Sequence, residues 1–213
     1  MNVHLSLLHA YPFERLRQLF SDVTPNANFS PISLGIGEPR HPTPDLIKKA
    51  YCQAIEDGAG LAAYPATAGD LAMRQAIAQW MHKRYGLTVR ASDQILPVNG
   101  SREALFAFAQ TIVQAEQGKA KPLVVCPNPF YQIYEGAALL AGAEPYYVAS
   151  VPERNFAQDW ASVPAEVWAR TQLLFVCSPG NPAGAVMPLQ EWKTLFELSD
   201  RYGFVIASDE CYS

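Results

Sequence analysis

The sequence predicts an α/β fold, a mostly parallel sheet flanked by helices and preceded by an amino-terminal arm. Three observations carry that expectation. From about Asp93 onward, short runs rich in β-branched and aromatic residues alternate with segments of helical periodicity. The runs are apolar throughout, as strands covered on both faces must be. Over 213 residues, 49% hydrophobic and 17% charged content suits a globular chain with a sizeable core and excludes disorder, collagen and coiled coil.

Taken in order, a short amphipathic helix is expected near Phe13 to Phe20, then a stretch punctuated by Pro25, Pro31, Pro39, Pro42 and Pro44. Helices follow at Pro44 to Asp57 and Gly69 to Tyr85. Strands are expected at Ile95 to Val98, Leu123 to Cys126, Tyr146 to Ala149, Leu173 to Cys177 and Phe204 to Ser208. Between them, Arg102 to Gln114, Tyr131 to Leu140 and Leu189 to Tyr202 space their apolar residues by three and four, so each can lay one face on the sheet. The organisation is read as an arm over 1–45 and a sheet-bearing domain over 46–213, with no internal repeat and no Gly/Ser linker.

The formal charge is -4, from 16 Lys plus Arg against 20 Asp plus Glu, and the cations are scattered. A phosphate backbone would meet no continuous basic footprint, so nucleic acid is not an expected partner. No run reaches the roughly 18 apolar residues of a membrane span, and Met1 to Leu8 lacks a cationic leader segment. A cytoplasmic protein is expected. Cys52, Cys126, Cys177 and Cys211 form no CxxC pair, and His4, His9, His41 and His82 form no HExxH cluster. Neither a metal site nor a disulfide framework is expected.

Chemistry gathers where strands end. Asn99-Gly100-Ser101-Arg102 follows ILPV and opens a helix, so free amides and the Ser101 hydroxyl can either cap the helix or attract an anion. Ser178-Pro179-Gly180-Asn181-Pro182-Ala183-Gly184 follows LLFVC and forms a rigid loop, either an ordinary Pro/Gly turn or a mount for the Asn181 amide. Asp209 closes the last apolar run, followed by Tyr212; it is either solvated at a strand end or buried against a partner. Tyr131 and Tyr134 lie one turn apart after VVC, a spacing that serves a core as readily as a ligand platform. Gly35-Ile36-Gly37-Glu38-Pro39-Arg40 departs from a dinucleotide fingerprint, because Arg40 replaces the last glycine and Pro39 interrupts the turn. A nicotinamide dehydrogenase fits poorly.

In this order, GIGEP, Tyr64 with Gly69, NGSREAL, PNPFY, SPGNPAG and SDECY resemble the class I aminotransferases of pyridoxal phosphate fold type I. The resemblance runs from the segment near Tyr11 to Ser213. VNGSREALFAFAQTIV, VVCPNPFYQIYEGAALLAGAEPYYV and FVCSPGNPAGAVM look in particular like the proteobacterial N-succinyldiaminopimelate aminotransferases. The fold implied is an incomplete large domain of that class. The cofactor implied is pyridoxal 5'-phosphate: Gly100, Ser101 and Arg102 at its phosphate, Tyr131 stacked on its ring, Asn181 and Tyr212 at its phenolic oxygen, and Asp209 at its pyridine nitrogen. The Asn181-Pro182 bond is expected to be cis. Gly37 and Arg40 would face the substrate, and Tyr64 would reach the phosphate of a neighbouring subunit in a homodimer. The substrates implied are amino acids and 2-oxo acids, with glutamate donating its amino group in lysine biosynthesis.

The same resemblance implies a Schiff-base lysine and a carboxylate-binding arginine beyond Ser213, so no catalytic residue is assigned here and the chain reads as an amino-terminal fragment. A carbon-sulfur lyase, another class I aminotransferase, or a non-catalytic cofactor-binding module would keep the same cofactor motifs. The expected outcome for the purified 213-residue chain is no appreciable transamination, assayed as 2-oxo acid formed from glutamate.

Overall fold

A computed structural model describes residues 1–58 and 60–213. They divide into two compact units, Met1–Leu16 with Asn99–Ser213, and Arg17–Val98. The first 16 residues thus belong with the sheet, and the packing units are not bounded at residue 45.

The first unit is a four-stranded, wholly parallel sheet: β1 (Leu123–Asn128), β2 (Glu144–Ala149), β3 (Thr171–Cys177) and β4 (Val205–Asp209), in the order β2-β1-β3-β4. Parallel neighbours need crossovers, and the chain supplies α5 (Ile133–Leu140) between β1 and β2, α6 (Ala165–Trp168) before β3, and α7 (Leu189–Tyr202) before β4. α4 (Ser101–Ile112) precedes β1. Side chains alternate across the strands. Val124, Cys126, Leu173 and Phe175 face one core with Tyr134, Ala137 and Ala109 of α5 and α4. Val125, Leu174 and Val176 face another with Leu195 of α7, Trp168 and Trp160. Because both faces are covered, the strands read as continuous apolar runs.

Strand order reverses at β1, which has β2 on one side and β3 on the other. Crevices at the carboxyl ends of strands beside such a switch are where open α/β sheets bind ligands. A 3-10 turn over Val3–Leu7 leads the chain onto α5, where Asn2 Nδ2 donates to the Leu140 carbonyl at 3.3 Å. Gly142 permits this approach: a side chain there would meet Ala115 Cβ at 3.0 Å and His4 Nε2 at 3.4 Å, and its φ of +83° suits glycine.

The second unit contains α2 (Asp45–Glu56) and α3 (Leu71–Tyr85), preceded in the chain by α1 (Pro12–Leu19), which crosses the division between units. The α3 ends are specified locally: Asp70 Oδ1 accepts from the Ala72 amide at 2.7 Å, and Gly86 closes the helix at φ +71°. None of the described residues of this unit is buried. The strand expected at Ile95–Val98 does not form. Pro97 has no N–H to donate to a ladder, and its ring instead lies against Gly69, where an added Cβ would meet Pro97 Cγ at 2.8 Å.

Cys126 is fully buried in β1, and burial pushes its thiol well above the usual range. A thiol-reactive dye is therefore expected to leave Cys126 unlabelled in the native protein and to label it after urea unfolding, as read by peptide mass spectrometry.

Candidate functional site

Three strands end at one edge of the sheet, and each delivers a polar group there. β4 ends in Asp209, whose residue is only 8% exposed. Its Oδ2 accepts the Tyr134 hydroxyl at 2.7 Å, and its Oδ1 accepts the Cys211 amide at 3.3 Å. No cationic side chain pairs with it among the described residues, which leaves a buried carboxylate held by neutral donors. Burial, and then the Asp209 carboxylate, raise the Tyr134 hydroxyl far above the ordinary tyrosine range, so it stays protonated and donates to Asp209.

β3 ends in Cys177, opposite Asp209 in the ladder, and the Ser178 amide donates to the Asp209 carbonyl at 3.3 Å. The loop that follows is tied at both ends. Ser178 Oγ accepts the Met187 amide at 3.0 Å, the Gly180 amide donates to Ala185 O at 2.8 Å, and Gly184 turns at φ +73°. Asn181-Pro182 is cis, as expected, and so are Ser178-Pro179 and Asn128-Pro129. Asn181 lines a small cleft with Cys177, Gly180, Pro182, Pro129 and Phe156.

β1 ends in Asn128, and Tyr131 follows before α5. The Tyr131 ring stands edge-on to Tyr134 at 5.9 Å, and Tyr134 stacks on Phe175 of β3 at 4.5 Å. Arg102, in the first turn of α4, donates from Nε to the Tyr131 hydroxyl at 2.6 Å, with its guanidinium 5.8 Å from the ring centre. Ser101 Oγ lies 3.5 Å from Cys211 Sγ, so the start of α4 meets the end of β4. The first amides of α4 have no carbonyl within the helix to bond, the usual basis of an anion site at a helix start. At Gly100 a side chain would come within 2.7 Å of Glu103 Oε2.

Of the expected site residues, Gly100, Ser101, Arg102, Tyr131, Asn181, Asp209 and Tyr212 all belong to the sheet unit. A network of contacts links Ser101, Arg102, Tyr131 and Asp209 through Tyr134 and Cys211. For the Asn181 side chain and the half-exposed Tyr212 hydroxyl, no hydrogen bond is found among the described residues. Gly37, Arg40 and Tyr64 belong to the other unit, where Arg40 pairs with Glu38 at 3.3 Å and Tyr64 is fully exposed.

Sequence reasoning missed two features. Tyr134 stood out only as an aromatic one turn from Tyr131, and its bond to Asp209 joins residues 75 apart. A second polar cluster lies where the arm meets α5. There Glu135 accepts the Tyr147 hydroxyl and lies 3.1 Å from His9 Nδ1, while Tyr147 stacks on Phe130 at 5.0 Å. No local pattern joins these residues; the parallel pairing of β1 with β2 and the packing of the first residues on α5 do.

Residues 30–213 match the family of class I and II aminotransferases. The chain belongs to that family. An aminotransferase from Neisseria meningitidis, solved by crystallography, is 49% identical with a TM-score of 0.90, covering 100% of this chain and 53% of its own. A Helicobacter pylori aminotransferase structure is 32% identical with a TM-score of 0.85, over 97% of this chain and 52% of its own. Among curated relatives, the LL-diaminopimelate aminotransferase of Desulforudis audaxviator is 32% identical over 97% of this chain and 51% of its own length. That of Aquifex aeolicus is 32% identical over 85% of this chain and 46% of its own. The chain thus spans about half the length of the curated relatives it matches. Class I aminotransferases depend on pyridoxal phosphate, and the residues here suit that cofactor: a helix start for its phosphate and a buried carboxylate, without a cationic partner among the described residues, for its ring nitrogen.

The Ser178 hydroxyl pins the far end of the Asn181 loop. Ser178→Ala is expected to cost about 1 kcal/mol in urea denaturation and to speed hydrogen exchange at the Met187 amide, while exchange within β1 stays unchanged.

Proposed function

We propose that the whole protein carrying this chain is a pyridoxal phosphate-dependent aminotransferase, a cytoplasmic homodimer exchanging amino groups between amino acids and 2-oxo acids. The observation that carries the reading is Asp209, a buried carboxylate with neutral donors on both oxygens, linked through Tyr134 and Tyr131 to the start of α4. A buried acid is costly unless a positive partner meets it, and a protonated pyridine nitrogen is such a partner.

On this reading Gly100 and Ser101 take the cofactor phosphate through backbone amides and the hydroxyl, and Arg102 adds positive charge at the same corner. Tyr131 lays its ring along the pyridine. Asn181 and Tyr212 would bond the phenolic oxygen, with Asn181 carried on the loop that Ser178 pins. Asp209 holds a proton on the ring nitrogen. When bound, pyridoxal phosphate supplies an electron sink for a substrate carbon that gives up its proton. Gly37, Arg40 and Tyr64 carry the roles that the sequence resemblance implies, the first two toward the substrate and Tyr64 toward a neighbouring subunit.

For the substrate we infer an N-succinylated diaminopimelate, with glutamate and its 2-oxo acid as the other pair, on the motifs shared with that branch. A second reading, unmodified LL-diaminopimelate, is favoured by the names of the curated relatives. The two differ at one nitrogen: succinylation removes an amine's positive charge and adds a carboxylate. Assaying the full-length protein with each compound as amino donor to 2-oxoglutarate separates them. The expected result is a higher kcat/KM for the succinylated donor; preference for the free diamine replaces it with the second reading.

Asp209→Ala in the full-length protein is expected to lower kcat/KM by about 10²-fold or more, the effect of breaking a buried ion pair. Steady-state kinetics at saturating cofactor checks it, and near wild-type turnover would refute the assignment of Asp209.

A further inference from the structure

Tyr134 is the largest of the fully buried side chains, and packing alone does not account for its hydroxyl. A buried hydroxyl loses its water and regains that loss only through a good partner, so a phenylalanine would pack the same space at lower cost. Its partner at 2.7 Å is Asp209 Oδ2, within the range for a strong bond from a hydroxyl to a carboxylate, and the Cys177 thiol lies beside the same hydroxyl. The position of that hydroxyl is set by the core. Stacking on Phe175 at an interplanar angle of 10° and an edge contact to Tyr131 at 88° fix the ring independently of Asp209.

The surroundings of Asp209 make this donor consequential. The titratable groups that feel its charge are Tyr134 from α5, Cys177 from β3, and Cys211 and Tyr212 just after β4. All are weak acids with raised pKa values, hence neutral near physiological pH, and none supplies positive charge. The carboxylate is therefore stabilised by neutral donors, the Tyr134 hydroxyl and the Cys211 amide, with the Cys211 thiol beside it. A carboxylate offers about four lone-pair sites, so these two bonds leave acceptor capacity for a further donor.

We propose that Tyr134 is a positioning residue that orients the Asp209 carboxylate to accept the ring N–H of pyridoxal phosphate. The inference rests on the cofactor reading above and adds a residue to it. Removing the hydroxyl takes away one of the bonds that hold the carboxylate in place, so Asp209 meets the ring N–H less well and the cofactor is held less tightly.

The test uses the full-length holoenzyme with Tyr134→Phe, Asp209→Asn and the double variant, plus Phe175→Leu, which disturbs the same ring without touching its hydroxyl. Three quantities are read: the Kd for pyridoxal phosphate, the ¹⁵N shift of cofactor labelled at the pyridine nitrogen, and the Tm. For Tyr134→Phe the expected Kd increase is about tenfold or more, the scale of a lost hydrogen bond to a charged group, and the ¹⁵N signal moves toward the unprotonated position. In the Asp209→Asn background, Tyr134→Phe is expected to move neither the Kd nor the ¹⁵N shift further, because the two residues act as one unit. If Tyr134→Phe and Phe175→Leu lower only the Tm, with Kd and ¹⁵N shift unchanged, Tyr134 is a packing residue and the proposal is overturned while the cofactor reading stands. A wild-type protein that binds no pyridoxal phosphate overturns the cofactor reading itself, and this inference with it.

Discussion

Parallel pairing is the constraint on which the rest of the sheet unit depends. When every strand runs the same way, every strand delivers its carboxyl end to the same edge, and each return must be made by a covering crossover. The chain meets both conditions: α4 and α5 lie against one face, α6 and α7 against the other, and the apolar interiors of β1 and β3 are sealed between them. The polar residues that cannot enter those interiors collect where the strands stop. Asp209, Ser178 and Tyr131, well separated along the chain, meet for that reason.

The edge is assembled by a few short-range devices acting on this geometry. Tyr134 reaches from α5 across β3 to the end of β4, so one side chain bridges a helix and the last strand. Ser101 and Arg102 tie the start of α4 to Cys211 and Tyr131. The buried Tyr134–Asp209 bond satisfies polar groups that would otherwise be stranded at the boundary of an apolar core, so there the site and the fold are stabilised by the same contact. A buried carboxylate among neutral donors is the feature that departs from ordinary core economy. Such departures concentrate where a protein prepares to meet a charged ligand.

Much of this was legible from local pattern. The runs that became β1, β3 and β4 could be placed because they are continuously apolar, the helix over Leu189–Tyr202 because its apolar residues repeat by three and four, and the loops after the strands by their Pro, Gly and polar residues. The order of the loop motifs also pointed to the aminotransferase family, since spacing along the chain is preserved even where distance in space is unknown. Ile95–Val98 failed because an apolar run with Pro97 in it satisfies the composition of a strand without its hydrogen bonding. What local pattern could not settle was whether Asp209 is solvated or buried, whether Tyr134 is core or site, and where the first residues pack. Those depend on which distant segments become neighbours. The sequence by itself determined the elements, their order and the chemistry at their ends. Only the tertiary structure decided that a tyrosine on α5 would spend its hydroxyl on the carboxylate of β4, because a hydrogen bond depends on a separation of a few ångströms that chain position does not encode.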